Sequence, residues 1–281
     1  MKSPYLIEAP TCINLSGGRT SAHMLKMILN ENGGIPACAV VLFCNTGKEE
    51  ELTLRFVREI GLYWGVTVIW LEYRPGQTFA VVDYETASRN GEPFTAVIAD
   101  RDGVLPNRVA RYCSSEMKTR TMHRYLRSLG WTEWDTFIGI RADEPARVAK
   151  FRQRPSPETP DEVVCMPSAA AGVTRAIVGD FWRASEFDLR LISVNGETPE
   201  GNCDLCFLKK ARRVLSLISA RPSRAVWWAQ CELRAETITS GNGSRFRNDR
   251  PSYGRMAEFA KSQVDVFGHE NDEAIQCACM D

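Results

Sequence analysis

Thr11-Cys12-Ile13-Asn14-Leu15-Ser16-Gly17-Gly18-Arg19-Thr20-Ser21 is a short apolar segment running straight into a double glycine. That is the pattern of a strand followed by a tight turn. From Ser21 onward Ala22, Leu25, Ile28 and Leu29 recur at helical spacing, until Asn32-Gly33-Gly34 stops the helix. Strand, Ser-Gly-Gly-x-x-Ser, helix is a phosphate-binding arrangement in physical terms. Two glycines let the backbone approach an anion, and N–H groups at the helix start point at it with the helix dipole behind them. Ser16 and Ser21 add hydroxyl donors. The stretch is neither a Walker A loop nor a GxGxxG fingerprint, and a Gly-Gly turn before a helix is often only a turn. Its position at the C-terminal end of the first strand gives it weight, because ligands of open α/β sheets bind there.

Working outward, Ala37 to Cys44 is a continuous apolar run with β-branched residues, as a buried parallel strand should be. Asn45-Thr46-Gly47 follows, with Thr46 and Glu49 spaced as a capping box. Leu52, Phe56, Val57 and Ile60 mark the inner face of a second helix, and Val66 to Leu71 is a third strand. Residues 74 to 107 read as excursions over the sheet. A helix starts near Ser114 and carries Lys118, Arg120, His123 and Arg124; Asp135 to Ile140 is a further strand ending at Arg141-Ala142-Asp143-Glu144. Residues 154 to 167, with four prolines, read as an exposed loop. The alternation predicts an α/β fold, a Rossmann-like parallel sheet with helices on both faces, plus a small Cys-rich C-terminal region. The expected division is a nucleotide-binding α/β domain over 1–193 and a metal-binding, helical region over 194–281.

The 281 residues suffice to bury a full core, and 35 basic residues balance 35 acidic ones, so global charge selects no polyanionic partner. The longest apolar run is too short to cross a membrane, and the N-terminus does not resemble a signal peptide. A cytoplasmic protein with no membrane partner is expected, and a homo-oligomer is left open.

Of ten cysteines, Cys12, Cys38 and Cys44 sit in or beside apolar runs and read as core; Cys165 and Cys231 read as structural. Cys113, Cys203, Cys206, Cys277 and Cys279 call for a different explanation. Cys203-Asp204-Leu205-Cys206 is a CxxC on a turn and Cys277-Ala278-Cys279 lies near the chain end. Two such pairs suit a tetrahedral Cys₄ metal site, although a CxxC is also a redox motif. A basic helix from Leu208 to Ala220, with Lys209, Lys210, Arg212 and Arg213, precedes Trp227 and Trp228; Arg245, Arg247 and Arg250 follow. Cations and exposed tryptophans would suit a nucleic acid. Tryptophans near Leu215 and Leu217 equally suit a core.

Ser16 to Ser21 resembles the PP-loop of ATP pyrophosphatases. Phe43-Cys44-Asn45-Thr46-Gly47, Arg111 to Lys118 with its Cys113, and Gly139-Ile140-Arg141-Ala142-Asp143-Glu144 resemble the phosphoadenosine phosphosulfate (PAPS) reductase branch of that superfamily. The resemblance implies a PP-loop fold that binds ATP, or PAPS or its 3′-dephospho form APS. Ser16, Gly17, Gly18, Arg19, Thr20 and Ser21 would take phosphates, and Asn45, Thr46 and Gly47 the adenosine. Lys118, Arg141 and Arg111 would contact phosphate or sulfate, with Lys118, Arg141 and Asp143 in catalytic roles. Asp143 and Glu144 would hold Mg²⁺, or else pair with Arg141 or Arg147.

The chain departs from the family in two places. PP-loop hydrolases usually place an acidic residue where Thr20 stands. PAPS reductases usually alter the double glycine and end on a Glu-Cys-Gly-(Leu/Ile)-His segment, whereas this chain keeps both glycines and ends Gln276-Cys277-Ala278-Cys279-Met280-Asp281. The loop leans toward cleavage of ATP between its α and β phosphates, coupled to sulfur transfer onto a nucleic acid or a small molecule. The alternatives are a sulfonucleotide reductase releasing sulfite, and a non-catalytic nucleotide sensor or nucleic-acid-binding protein with a structural zinc. Several relatives of this branch hold [4Fe–4S] clusters, which implies a cluster on Cys113, Cys203, Cys206 and either Cys277 or Cys279, with Zn²⁺ as the alternative.

Overall fold

The computed structural model describes residues 2–152, 162–193, 198–201, 203–239 and 243–266. Cys277 and Cys279 lie outside the described residues. The first strand, β1 (Thr11–Asn14), leads through the glycine loop into α1 (Arg19–Asn32). Then come β2 (Ala39–Asn45), α2 (Glu51–Trp64) and β3 (Val68–Arg74). Both helices end on a glycine in the left-handed region, Gly33 at φ 66° and Gly65 at φ 62°, where a side chain would be strained.

The stretch expected to wander over the sheet holds two further elements, β4 (Thr78–Val82) and α3 (Glu92–Ala99). Next is one continuous helical run: α4 (Tyr112–Ser114), a π-helical turn (Ser115–Arg120) and α5 (Thr121–Ser128). Then follow β5 (Trp134–Ile138), α6 (Pro145–Arg152), β6 (Glu162–Cys165), α7 (Pro167–Ala170) and α8 (Arg175–Arg183). β6 corrects the expectation of a loop up to residue 167: Glu162-Val163-Val164-Cys165 pairs in parallel with Trp134 to Phe137. The last described part is helical, with α9 (Ala211–Ala220), a 3₁₀ turn (Pro222–Arg224), α10 (Ala225–Ile238) and α11 (Tyr253–Val266). The basic helix therefore starts at Ala211, leaving Lys209 and Lys210 in the preceding turn.

The strands form one sheet in the order β4-β3-β2-β1-β5-β6, parallel throughout except for the edge strand β4. This confirms the α/β class and the mostly parallel sheet. Side chains alternate across it as strand geometry demands. Ile13, Val41 and Phe43 face α1, α2 and α8, where Leu25, Ile28, Phe56, Val57 and Trp182 complete a core. Cys12, Leu42, Cys44 and Leu71 face the other way, onto Met122 and Leu126 of α5. A third core joins Tyr73, Phe94, Val97 and Met117 to Leu205, Phe207, Val214, Leu217, Trp228, Phe246 and Tyr253 of the C-terminal region. Trp228 is fully buried in it, so that tryptophan packs a core and offers no face to a base. Burying each such side chain contributes about 1.5–3 kcal/mol.

Chain order explains where a ligand would sit. From β1 the chain moves to β2 and β3 on one side, and later returns to place β5 on the other side of β1. The C-terminal ends of β1 and β5 therefore mark a topological switch point, the place where open α/β sheets bind ligands.

Candidate functional site

Gly17 adopts φ +76°, and a Cβ there would lie 2.6 Å from Thr53 Cγ2 and 3.2 Å from the Phe43 ring. Only glycine lets the loop turn this tightly against α2. Gly18 caps α1, whose first turn has no side-chain cap and no acidic residue, so its N–H dipoles face outward uncompensated. Ser21 braces the loop from inside: its Oγ accepts from Ser16 N at 3.1 Å, lies 3.0 Å from Ser16 Oγ and donates to Gly18 O at 2.9 Å. Ser21 is buried, whereas Ser16 is exposed and Gly18 and Thr20 are half-buried.

Arg19 departs from the expected arrangement. Its guanidinium forms a fork on Asp188, Nε to Oδ1 at 2.6 Å, and also reaches Ser193, while Trp182 Nε1 donates to Arg19 O at 3.0 Å. The side chain therefore fastens the segment after α8, and the backbone is what Arg19 contributes to the loop.

β5 meets the loop through Gly139, where a Cβ would lie 2.6 Å from Ser21 Cα. That close approach delivers Arg141, whose Nη1 donates to Thr20 Oγ1 at 3.2 Å. Arg141 also binds Asp143 (Nε to Oδ1, 2.8 Å), and its backbone N–H donates to Glu144 Oε2. Arg147 takes the other Glu144 oxygen, and Arg175 N donates to Asp143 Oδ2 at 2.9 Å. Although burial alone would raise them, these donors and cations hold both carboxyls below their usual range. The acidic pair thus forms an ion-pair network with Arg141, the second of the two arrangements the sequence allowed.

At the end of β2, both amide hydrogens of Asn45 are used, on Glu72 Oε1 at 2.6 Å and Ser88 O at 2.8 Å, and its Oδ1 accepts from Gly47 N. Asn45 shapes the loop from within. Gly47 (φ +73°) lies against Gly91 and Pro93. Thr46 is not the helix cap that its spacing suggested, since α2 begins after Glu50. Its hydroxyl instead donates to Glu49 Oε1 at 3.2 Å and lies 3.3 Å from Cys203 Sγ.

The CxxC turn docks here. Glu49 and Cys203 form an antiparallel bridge, Asp204 N donates to Lys48 O at 2.7 Å, and Lys48 Nζ lies 3.1 Å from Asp204 Oδ2. Lys209 Nζ closes the turn from below, donating to the carbonyls of Gly201, Cys203 and Asp204 at 2.8, 2.6 and 3.1 Å. Lys118 projects from the π turn and pairs with Glu49 at 3.4 Å. Desolvation opposes its charge, yet Glu49 and the thiols of Cys203 and Cys44 outweigh that and raise its pKa above that of a free lysine. Cys113 stands close enough to Cys206 to feel its charge; burial first, and then that neighbour, push its thiol up to about 12. Burial, Glu49 and Cys206 raise Cys203 as well.

Cys203 thus stands at the β2 end beside Thr46, Glu49 and Lys118, with Cys206 three residues on in the same turn and Cys113 packed against the same core. Nothing in the sequence tied Glu49, Lys48 or Lys209 to the thiols, and only the fold brings them there. As donors the thiols suit a soft metal centre. Among the described residues, however, no three His, Cys, Asp or Glu side chains converge on one point where an ion could sit. No helix there is long and apolar enough to cross a membrane.

Comparison with known proteins identifies the family. The model of the phosphoadenosine phosphosulfate reductase domain matches residues 10–155, more than half of the chain. An uncharacterized nin region protein, ORF290 of Escherichia phage lambda, is 26% identical over 214 residues, covering 72% of this chain and 67% of that protein. A phosphoadenylyl-sulfate (PAPS) reductase from Candida auris, solved as a phosphate complex, aligns at a TM-score of 0.40 with 16% identity, over 65% of this chain and 79% of that one. The matched span contains the glycine loop, the β2 end, Cys113 with Lys118, and the β5 end, and the chain belongs to the phosphoadenosine phosphosulfate reductase domain family.

Proposed function

We propose that the protein activates an acceptor with ATP and passes sulfur to the activated centre. The observation that carries this reading is the pairing of an unaltered, uncapped double-glycine loop with the Cys203 thiol of the CxxC turn at the neighbouring strand end. The loop offers N–H donors and a helix dipole to a triphosphate, and Arg141 stands at its edge with a guanidinium aimed at Thr20. An acceptor oxygen attacks the α-phosphorus, the bond to the bridging oxygen breaks, and pyrophosphate leaves with that electron pair. Arg141 and Lys118 offset the charge that builds on the phosphate oxygens. Sulfur, delivered as a nucleophile, then displaces AMP from the acceptor.

Cys113, Cys203 and Cys206, with Cys277 or Cys279 as fourth ligand, would hold an iron–sulfur cluster. Such a group supplies redox chemistry or a site to carry sulfur. In this reading Asp143 and Glu144 orient Arg141, and any Mg²⁺ arrives with the nucleotide.

The family match favours a second reading. A thiolate attacks the sulfur of PAPS or APS, the S–O bond to the nucleotide breaks, and a second thiol then releases sulfite as a disulfide forms. The deciding experiment incubates the anaerobically purified protein with ATP, PAPS or APS and quantifies pyrophosphate and sulfite. Pyrophosphate from ATP, lost in Gly18→Asp and Arg141→Ala, supports adenylation. Sulfite from a sulfonucleotide without pyrophosphate from ATP supports reduction, and saturable nucleotide binding without either product overturns both.

A further inference from the structure

Apart from Lys118, the helical run from Tyr112 to Ser128 and the residues leading into it carry a charge that the mechanism does not use. Between residues 108 and 127 stand Arg108, Arg111, Lys118, Arg120, Arg124 and Arg127, against the single carboxylate Glu116, in a chain whose overall charge is zero. Glu116 is buried, and three guanidiniums converge on it. Arg101 and Arg120 each reach Oε1 at 2.6 Å, and Arg124 reaches Oε2 at 3.2 Å. Arg108 and Arg247 likewise share Asp249. Neither Arg111, whose guanidinium meets the carbonyl of Arg108, nor the exposed Arg127 pairs with a carboxylate among the described residues.

Arg120, Arg124 and Arg127 follow one another at i, i+4 and i+7, the spacing of one helix face. From Arg120 to Arg127 the helix rises about 10 Å, enough to follow roughly three phosphates of one nucleic-acid strand. Charge this regular and this apolar-poor is the opposite of a protein–protein interface, whose centre is apolar and depleted in charge. Within residues 101–130 the large exposed hydrophobic side chains are Val109 and Leu129 alone.

We propose that this face binds the sugar–phosphate backbone of a nucleic acid. The guanidinium forks suit phosphate oxygens, and Glu116 holds three of them in register without cancelling them. Backbone contact of this kind is sequence-independent and salt-sensitive.

The test measures anisotropy of fluorescent 20-nucleotide single-stranded DNA, single-stranded RNA and duplex DNA with the full chain, in parallel with ATP binding by calorimetry. Arg108→Glu/Arg127→Glu changes two exposed cations that touch neither the glycine loop nor the thiols. Expected is micromolar or tighter binding to at least one of these at low salt, weakened tenfold or more in the double variant. For a single strand the slope of log K against log salt should fall by roughly 1.4, two phosphate contacts. ATP binding should stay as in the parent. No binding near 50 mM salt, binding indifferent to the double variant, or equal binding to polyglutamate would overturn the proposal. Because ATP binding is read separately, loss of the nucleotide site and loss of the basic face are distinguishable.

Discussion

Cys203 lies with its sulfur 3.3 Å from the hydroxyl of Thr46, although 157 residues separate them in the chain. The contact places a thiol of the C-terminal region against the strand end that borders the glycine loop. It is held from several sides, by the Lys48–Asp204 pair, by the bridge to Glu49 and by Lys209 beneath the turn. Each of these supports can be removed separately.

Lys118 and Glu49 should behave as a unit. The Glu49 side chain is 2% exposed and Lys118 32%. Lys118→Met leaves a buried carboxylate unpaired and should cost about 1–3 kcal/mol, less than a fully buried pair because water reaches the ammonium. Adding Glu49→Gln should recover much of that loss without restoring any phosphate contact. Urea unfolding of the two single variants and the double variant, beside ATP titration, separates the roles. If the double variant recovers nucleotide affinity along with stability, Lys118 acts through folding and not on the phosphates.

Gly139 is the point where β5 touches the loop. In Gly139→Ala the new methyl would sit 2.6 Å from Ser21 Cα, a backbone atom that cannot turn away. The strand end or the first turn of α1 must move, at a cost of about 1–3 kcal/mol. Arg141 follows Gly139 by two residues, so its reach to Thr20 is lost too. Nucleotide affinity should fall more than melting temperature alone would suggest, and a variant binding ATP as tightly as the parent would show that the β5 end lies outside the site.

Much of this arrangement was legible in the sequence. The apolar period of Ala22 to Leu29 and the run from Ala37 to Cys44 suffice for the alternating sheet, and the motifs mark its strand ends. β4 was not, because Thr78-Phe79-Ala80-Val81-Val82 follows a turn with Gln77 at positive φ and lies on an edge where Val81 is 58% exposed. Four prolines around Glu162 to Cys165 hid the other edge strand. Thr46 and Glu49 have the spacing of a helix cap, but the hydroxyl is drawn to Cys203, a contact no local pattern encodes. Arg19 reads as a phosphate ligand because of where it stands, and Asp188, far along the chain, takes it instead.

Alkaline pH should unfold the protein through its buried thiols. Burial raises Cys44 to about 12, with Lys118 opposing and Glu49 adding; burial raises Cys231 to about 12, with Arg234 opposing; burial and then Asp135 raise Cys165 to about 11. These folded-state values lie above those of the unfolded chain, near 9, so the fold prefers the neutral thiol. That stabilisation is complete below about pH 9 and is lost as pH rises through 11 to 12. The melting temperature should therefore hold from pH 7 to 8 and fall above 9, and Cys44→Ala should make the fall shallower. An unchanged slope in that variant would place the alkaline sensitivity elsewhere.

Metal content decides what the cysteines are for. Burial favours the neutral thiol at Cys113 and Cys203, so a metal bound there must displace their protons. A [4Fe–4S] cluster predicts about four irons and four sulfides per chain and a broad absorbance near about 400 nm in anaerobic preparations. Cys113→Ala, Cys203→Ala and Cys206→Ala should each abolish it, whereas Cys231→Ala should not. One zinc per chain without colour, lost in Cys203→Ala and Cys206→Ala, would make the turn a closed structural centre. Chelation should then lower the melting temperature in proportion to how far the CxxC turn leans on its metal in place of Lys209 and Asp204. Neither metal, with normal melting, would leave Cys203 and Cys206 as a free dithiol beside Lys118, the form the reductase reading requires.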